Sequence, residues 1–262
     1  MMRNVTTSSS STRGIAAIVG VGPNLGRSVA RKFAHQGYTV AILARDLGRL
    51  SRFADEIARE EKAQVYAIRI DCSDTQSVIE AFEGVLSLGF VEVLVYNAYQ
   101  PIPLQYGGSC NFSDVRLDSF QKSVAVSSVG AFHCAQQVLP GMVERGRGTI
   151  LFTGCAASLS GGTGLSEICC GKFALRGLSQ CLAKEFYPLG VHIAHVIIDG
   201  VIGASRVVKV PQRSLVGEQL SIGGDGSMDP DSVAETYWYL HIQPRAAWTQ
   251  EIDVCPPSPR FS

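Results

Sequence analysis

The chain has 262 residues, 46% hydrophobic and 18% charged, which is enough apolar material for a sizeable core and unlike the charge-rich signature of disorder. Lys and Arg total 23, as do Asp and Glu, which argues against a polyanion-binding protein, and no nucleic-acid partner is expected. The eight cysteines include no CxxC pair, which removes the usual metal spacing and predicts no metal site; with no signal peptide, the expectation is reduced thiols in a cytoplasmic protein.

Residues 1–13 are Ser/Thr-rich and read as a flexible tail ahead of one domain over 14–262. Ile15 to Val19 is a short apolar run that stops at a glycine-rich turn, and a helical pattern follows from Leu25 to Ala34. Thr39 to Ala44 predicts a second strand, Leu47 to Glu60 a helix, Gln64 to Ile70 a third strand, Thr75 to Leu88 a helix and Val91 to Tyr96 a fourth strand. The alternation continues with a helix over Ser119 to Val138, a strand over Thr149 to Thr153, a helix over Ser166 to Tyr187 and a strand over Val191 to Ile198. A helix over Asp231 to His241 and a strand over Thr249 to Val254 complete it. Such regular alternation predicts an α/β, doubly wound Rossmann-type sheet of seven mostly parallel strands with helices on both faces. The uncharged run Ser123 to Val143 carries His133, Gln136, Gln137 and Pro140, and reads as a bridging helix between the sheet and a partner subunit rather than a membrane span.

Ligands of such sheets sit at the carboxyl ends of the strands, near the switch in strand order. The first turn is Gly20-Val21-Gly22-Pro23-Asn24-Leu25-Gly26, between a strand and a helix, where glycines let the backbone approach a pyrophosphate resting on the helix N-terminus. The second strand ends in Ala44-Arg45. Alanine cannot bind a ribose 2′-hydroxyl, whereas Arg45 can pair with a 2′-phosphate, so NADP(H) is expected over NAD(H). Asp71, with Cys72 behind it, follows the third strand and has the acceptor capacity to bind an adenine amino group. Asn97 and Ala98 follow the fourth strand, where backbone would line the adenine ribose. Two long irregular segments, 100–117 with Tyr106 and 203–228 with Arg206, Lys209 and Arg213, are the expected substrate loops. The little charge they carry predicts a small, mostly apolar substrate.

With these residues in place the chain resembles the short-chain dehydrogenase/reductase family from Gly14 to Val254. Gly20 to Gly26 is similar to its TGxxxGxG turn, Asp71 to its adenine-binding Asp, and Tyr96-Asn97-Ala98-Tyr99 to its NNAG segment. Gly148 to Cys155 resembles the strand that carries the catalytic serine, and Lys172-Phe173-Ala174-Leu175 the lysine end of YxxxK. The resemblance implies an NADP(H)-dependent oxidoreductase acting on a carbonyl or enone, a homodimer or homotetramer built on the helices 119–138 and 166–187, and Lys172 as a cofactor ribose ligand. It also implies a tetrad of Asn, Ser, Tyr and Lys, of which this chain keeps only Lys172. Ser127 stands at the Asn position, Cys155 at the Ser position and Ile168 at the Tyr position. Asn24 replaces the middle glycine of the turn, Tyr99 the last residue of NNAG, and Ile198-Asp199 the usual Pro-Gly.

Isoleucine carries no exchangeable proton, so carbonyl reduction with a tyrosine acid is excluded. Cys155 beside Lys172 is a candidate acid or nucleophile, Tyr99 a candidate phenol, and His195 with Asp199 a candidate proton pair on one face of the sixth strand. Each also has a structural reading: Cys155 as small filler, Tyr99 as core or lid packing, His195 as a satisfied histidine in the sheet and Asp199 as the cap of a turn. Three functions stay open at this point: a working oxidoreductase, a non-redox isomerase or cyclase on the same scaffold, and a catalytically silent NADP(H)-binding protein.

Overall fold

A computed structural model describes residues 13–101, 111–203 and 227–256. Most of the tail, the loop segments 102–110 and 204–226 and with them Tyr106, Cys110, Arg206, Lys209 and Arg213 lie outside the described residues. The apolar runs form strands β1 (Ile15–Val19), β2 (Thr39–Ala44), β3 (Val65–Arg69), β4 (Val91–Tyr96), β5 (Gly148–Cys155), β6 (Val191–Ile198), β7 (Val201–Ile202), β8 (Ser227–Met228) and β9 (Glu251–Val254). Between them run helices α1 (Leu25–His35), α2 (Leu47–Glu61), α3 (Thr75–Ser87), α4 (Leu117–Val124), α5 (Gly130–Glu144), α6 (Ser166–Phe186) and α7 (Pro230–His241).

Seven strands form one sheet in the order β3-β2-β1-β4-β5-β6-β9, and every pairing in it is parallel. Period-two alternation divides each strand between two cores. Ala16 and Ile18 face a layer built on α1, α2 and α7, with Val29, Phe33, Leu50, Ile57 and Tyr237. Ala17 and Val19 face the opposite layer, built on α3, α5 and α6, with Phe82, Val85, Ala131, Cys134 and Leu175. The order reverses between β1 and β4, which opens the crevice where such sheets bind ligands.

Two expectations need correction. The helix foreseen over Ser119–Val138 is longer and interrupted: α4 starts at Leu117, a π-helical turn spans Ala125–Val129, and α5 runs on through Pro140 to Glu144. The Tyr96 hydroxyl donates to the Val126 carbonyl inside that turn, and a side chain inserted into the helical ladder is a recognised cause of such an irregularity. The second correction is β7 and β8, a parallel two-stranded clip pairing Val201 with Ser227 and Ile202 with Met228. Two residues per strand are too few to show a period in the sequence. Among the described residues no helix is long and apolar enough to cross a membrane.

Candidate active site

The turn after β1 and the segment after β4 are locked together. Asn97 N–H donates to the Val19 carbonyl at 2.8 Å and Asn97 Nδ2 to the Gly20 carbonyl at 3.0 Å. Gly20 has φ +86°, and a Cβ there would lie 2.7 Å from the Asn97 carbonyl carbon and collide with the Ala98 backbone, so only glycine fits. At Gly22, by contrast, a Cβ would meet no atom within 4 Å.

Beside this turn lies a cavity of about 180 Å³ that gathers Gly20, Gly22, Arg45, Asp71, Cys72, Asn97 and Ala98. Asp46 caps α2, accepting from Arg49 N–H at 3.0 Å, and pairs with the Arg49 guanidinium at 3.2 Å. The structure thus pairs Asp46 with Arg49 and leaves Arg45 without an ion-pair partner among the described residues. Arg49, in the first turn of α2, also lines the cavity and was not singled out in the sequence. Asp71 Oδ1 accepts from Ser73 N–H at 3.0 Å and from Ser73 Oγ–H at 2.6 Å. Burial pushes the Asp71 carboxyl up, but the Ser73 hydrogen bonds and the charges of Lys122 and Arg45 outweigh it and hold the group below its ordinary value.

A second cavity, about 430 Å³, shares Gly20, Gly22, Asn97 and Tyr99 with the first and extends to Cys155, Ile168 and Lys172. Asn24, Leu25 and Gly26 line it from the turn, and Thr153, Ile198 and residues 200–202 from the strand ends; the sequence did not single out Thr153 or 200–202. Lys172 is 4% exposed and its ammonium donates to the Thr153 carbonyl at 2.7 Å. Burial lowers its pKa, and the neighbouring Cys155 sulfur opposes that. Cys155 Sγ accepts the Ser158 N–H, while Cys155 N–H donates to Ser158 Oγ at 3.2 Å. Tyr99, 55% exposed, stands where the two cavities meet. Ser127 does not join them: it is 1% exposed, its hydroxyl has no partner, and it packs under α6, where a Cβ on Gly171 would lie 2.8 Å from its own Cβ.

His195 is fully buried behind the cavity wall, where it fills the space a side chain on Gly154 would need. Its Nδ1 lies 3.4 Å from Glu251, not paired with Asp199, and Glu251 is itself held by Arg176 through two contacts of 2.7 Å. Burial pushes the His195 pKa down to about 4, Lys172 and Arg176 reinforce this, and Glu251 opposes it. The ring is therefore neutral at pH 7, and since a carboxylate only accepts, Nδ1 carries the proton.

The chain matches the short chain dehydrogenase family over residues 14–210, and it belongs to that family. Among curated relatives, it is 33% identical over 190 residues to human 17-beta-hydroxysteroid dehydrogenase type 1, covering 70% of this chain and 55% of that protein. It is 27% identical over 181 residues to the 3-dehydrosphinganine reductase of Danio rerio, covering 67% and 53% respectively. The chain thus spans about half the length of these relatives. An alcohol dehydrogenase from the archaeon Thermococcus sibiricus, solved with 5-hydroxy-NADP, superposes with a TM-score of 0.78 at 24% identity, covering 95% of this chain and 99% of that one. That likeness concerns the fold alone.

Proposed function

We propose that the chain is an NADP(H)-dependent oxidoreductase, an atypical short-chain dehydrogenase acting on a small, mostly apolar carbonyl or enone compound. One observation carries this reading: the two cavities share Gly20, Gly22, Asn97 and Tyr99, so Arg45 at one end and Lys172 at the other line a single cleft. The residues present suit a dinucleotide. Gly20 is crowded from inside while Gly22 faces open space, which is the arrangement a backbone needs to approach a pyrophosphate. Arg45, assisted by Arg49, would take the 2′-phosphate, Asp71 with Cys72 the adenine, Asn97 and Ala98 the adenosine ribose, and Lys172 the other ribose. The phosphorylated cofactor carried by the Thermococcus sibiricus neighbour agrees with this choice.

When bound, the cofactor would supply or accept a hydride. Every other role falls to the chain. With Ile168 at the tyrosine position, Cys155 at the serine position and Ser127 at the asparagine position, the wall offers Cys155, Tyr99 and Lys172 as proton-bearing groups. Ile168, Ile198, Val201 and Ile202 make the rest of it apolar, which suits a substrate bound mainly by shape. A polarised carbon–carbon double bond fits this wall well, since carbon protonation after hydride delivery can be slow and needs no phenol. Exposed Phe132 on α5, Phe173 on α6 and Val129 between α4 and α5 support a homodimer or homotetramer through those helices. The seven free thiols among the described residues support a reducing, cytoplasmic setting, and the continuous sheet supports a single domain.

Ile168 on the cavity wall also favours a second reading, a non-redox isomerase or cyclase, or a silent NADP(H)-binding protein, on the same scaffold. The deciding experiment follows NADPH consumption over a panel of carbonyl and enone compounds. Turnover with at least one compound is expected, falling at least about 100-fold in Lys172→Ala, because cofactor positioning is lost. An isomeric product with NADPH intact would replace the first reading with the second.

A further inference from the structure

Asn24 stands at the N-cap of α1, where an asparagine normally turns its side chain back onto the helix. Here it makes no capping bond. Its Nδ2 instead donates across the cleft to the Ile202 carbonyl at 3.1 Å, joining residues 178 positions apart. The next residue is shaped to receive it. Gly203 has φ +90°, and a Cβ there would lie 2.9 Å from both Asn24 Cγ and Nδ2 and 3.0 Å from Oδ1, so its backbone packs face-on against the amide. Gly203 N–H in turn donates to the Met228 carbonyl at 3.0 Å, which ties the amide to the β7–β8 clip. Asn24, Gly200, Val201 and Ile202 all line the larger cavity.

We propose that Asn24 is a positioning residue whose amide clamps β7 onto the first turn, so that this turn and the substrate-end wall of the cavity move as one unit. A glycine at this position would have no donor to offer, and this tie between the first turn and β7 would be lost. The clamp stands on the contacts alone; the further consequence, that a dinucleotide on the turn tightens the wall, rests on the cofactor reading given above.

Amide hydrogen exchange of the full chain tests both parts, with and without saturating NADPH, for the wild type, Asn24→Asp and Gly203→Ala. Asn24→Asp keeps the shape but removes the donor and sets a carboxylate against the Ile202 carbonyl, so space-filling and donation are separated. Without cofactor, peptides spanning 198–203 and 227–229 are expected to exchange about three- to tenfold faster in Asn24→Asp, the loss of one net hydrogen bond, while β1 and β4 stay as in the wild type. Gly203→Ala should reproduce this from the other side of the contact. In the wild type NADPH should add protection at 198–203, and Asn24→Asp should abolish that gain. If Asn24→Asp exchanges like the wild type at 198–203, the clamp is refuted. Should calorimetry find no NADPH binding to the wild type, the cofactor reading fails, while the cofactor-free comparison still decides the clamp.

Discussion

The two ends of the cleft use the same parts, strand ends and the segments after them, yet are built on opposite principles. The end proposed to take adenosine is polar and accessible: Asp71 is fixed by Ser73, Arg49 by Asp46, and Arg45 lines the cavity. The end proposed for substrate presents isoleucines and a thiol beside Lys172, and a further polar network lies behind the wall, where His195, Glu251 and Arg176 brace the strands carrying it. Cofactor recognition needs donors and charges in place before binding. An apolar substrate needs shape, so there the polar groups can serve rigidity instead.

If that buried network holds the substrate end, acid should weaken the fold through it. The unfolded chain protonates His195 near the ordinary value of about 6.5, whereas the folded chain resists down to about 4. Stability fully present above the unfolded value is therefore lost as pH falls from about 6.5 through about 4, because the unfolded state takes up the proton first. For a fully buried ring the difference is worth about 3 kcal/mol. His241, also lowered to about 4 by burial, adds its own loss in the same window. Urea midpoints at pH 7 and pH 4.5 should thus fall less in His195→Gln than in the wild type; equal falls would detach His195 from the network's stability.

At the adenosine end the contrast is tested by charge. Arg45→Ala should raise the NADPH Kd by about 10- to 100-fold, the worth of a charge-assisted contact, and leave NADH binding nearly unchanged. Arg49→Ala should cost less, since Asp46 already engages that guanidinium. Calorimetry with both cofactors reads this directly, and equal losses for NADPH and NADH would remove the 2′-phosphate assignment.

The same contrast explains what could be read from the sequence. Strand positions, and the strand-end residues that gather at the first cavity, were legible because period-two and helical patterns, a glycine turn and single residues after strands are local signals. Arg45, Asp71 and Asn97 each sit one or two residues beyond a strand, so placing the strand placed the residue. The bracing of His195 by Glu251 was not legible: β6 and β9 become neighbours only through sheet order, and the pair is separated by 56 positions. Ser127 looked like a cavity residue by position, but the helix register of the π turn and the small Gly171 bury it. The role of Asn24 was hidden because its partner, Ile202, belongs to a clip too short to show in a pattern.

Gly20 and Gly22 look alike in the sequence and differ in the fold, which gives the smallest and most discriminating test. Gly20 is required by the protein itself, through its positive φ and the Ala98 backbone. Nothing in the described protein requires Gly22, because a Cβ there would touch no atom within 4 Å. A methyl group at that point should therefore leave stability within about 0.5 kcal/mol of the wild type. If the space belongs to a pyrophosphate, the same methyl should still weaken NADPH binding, by about three- to tenfold, since it keeps the ligand off the backbone. Thermal denaturation and calorimetry of Gly22→Ala separate the two effects. A variant with unchanged stability and unchanged NADPH affinity would mean that the phosphates lie elsewhere, and the adenosine end would lose its link to the substrate end through this turn.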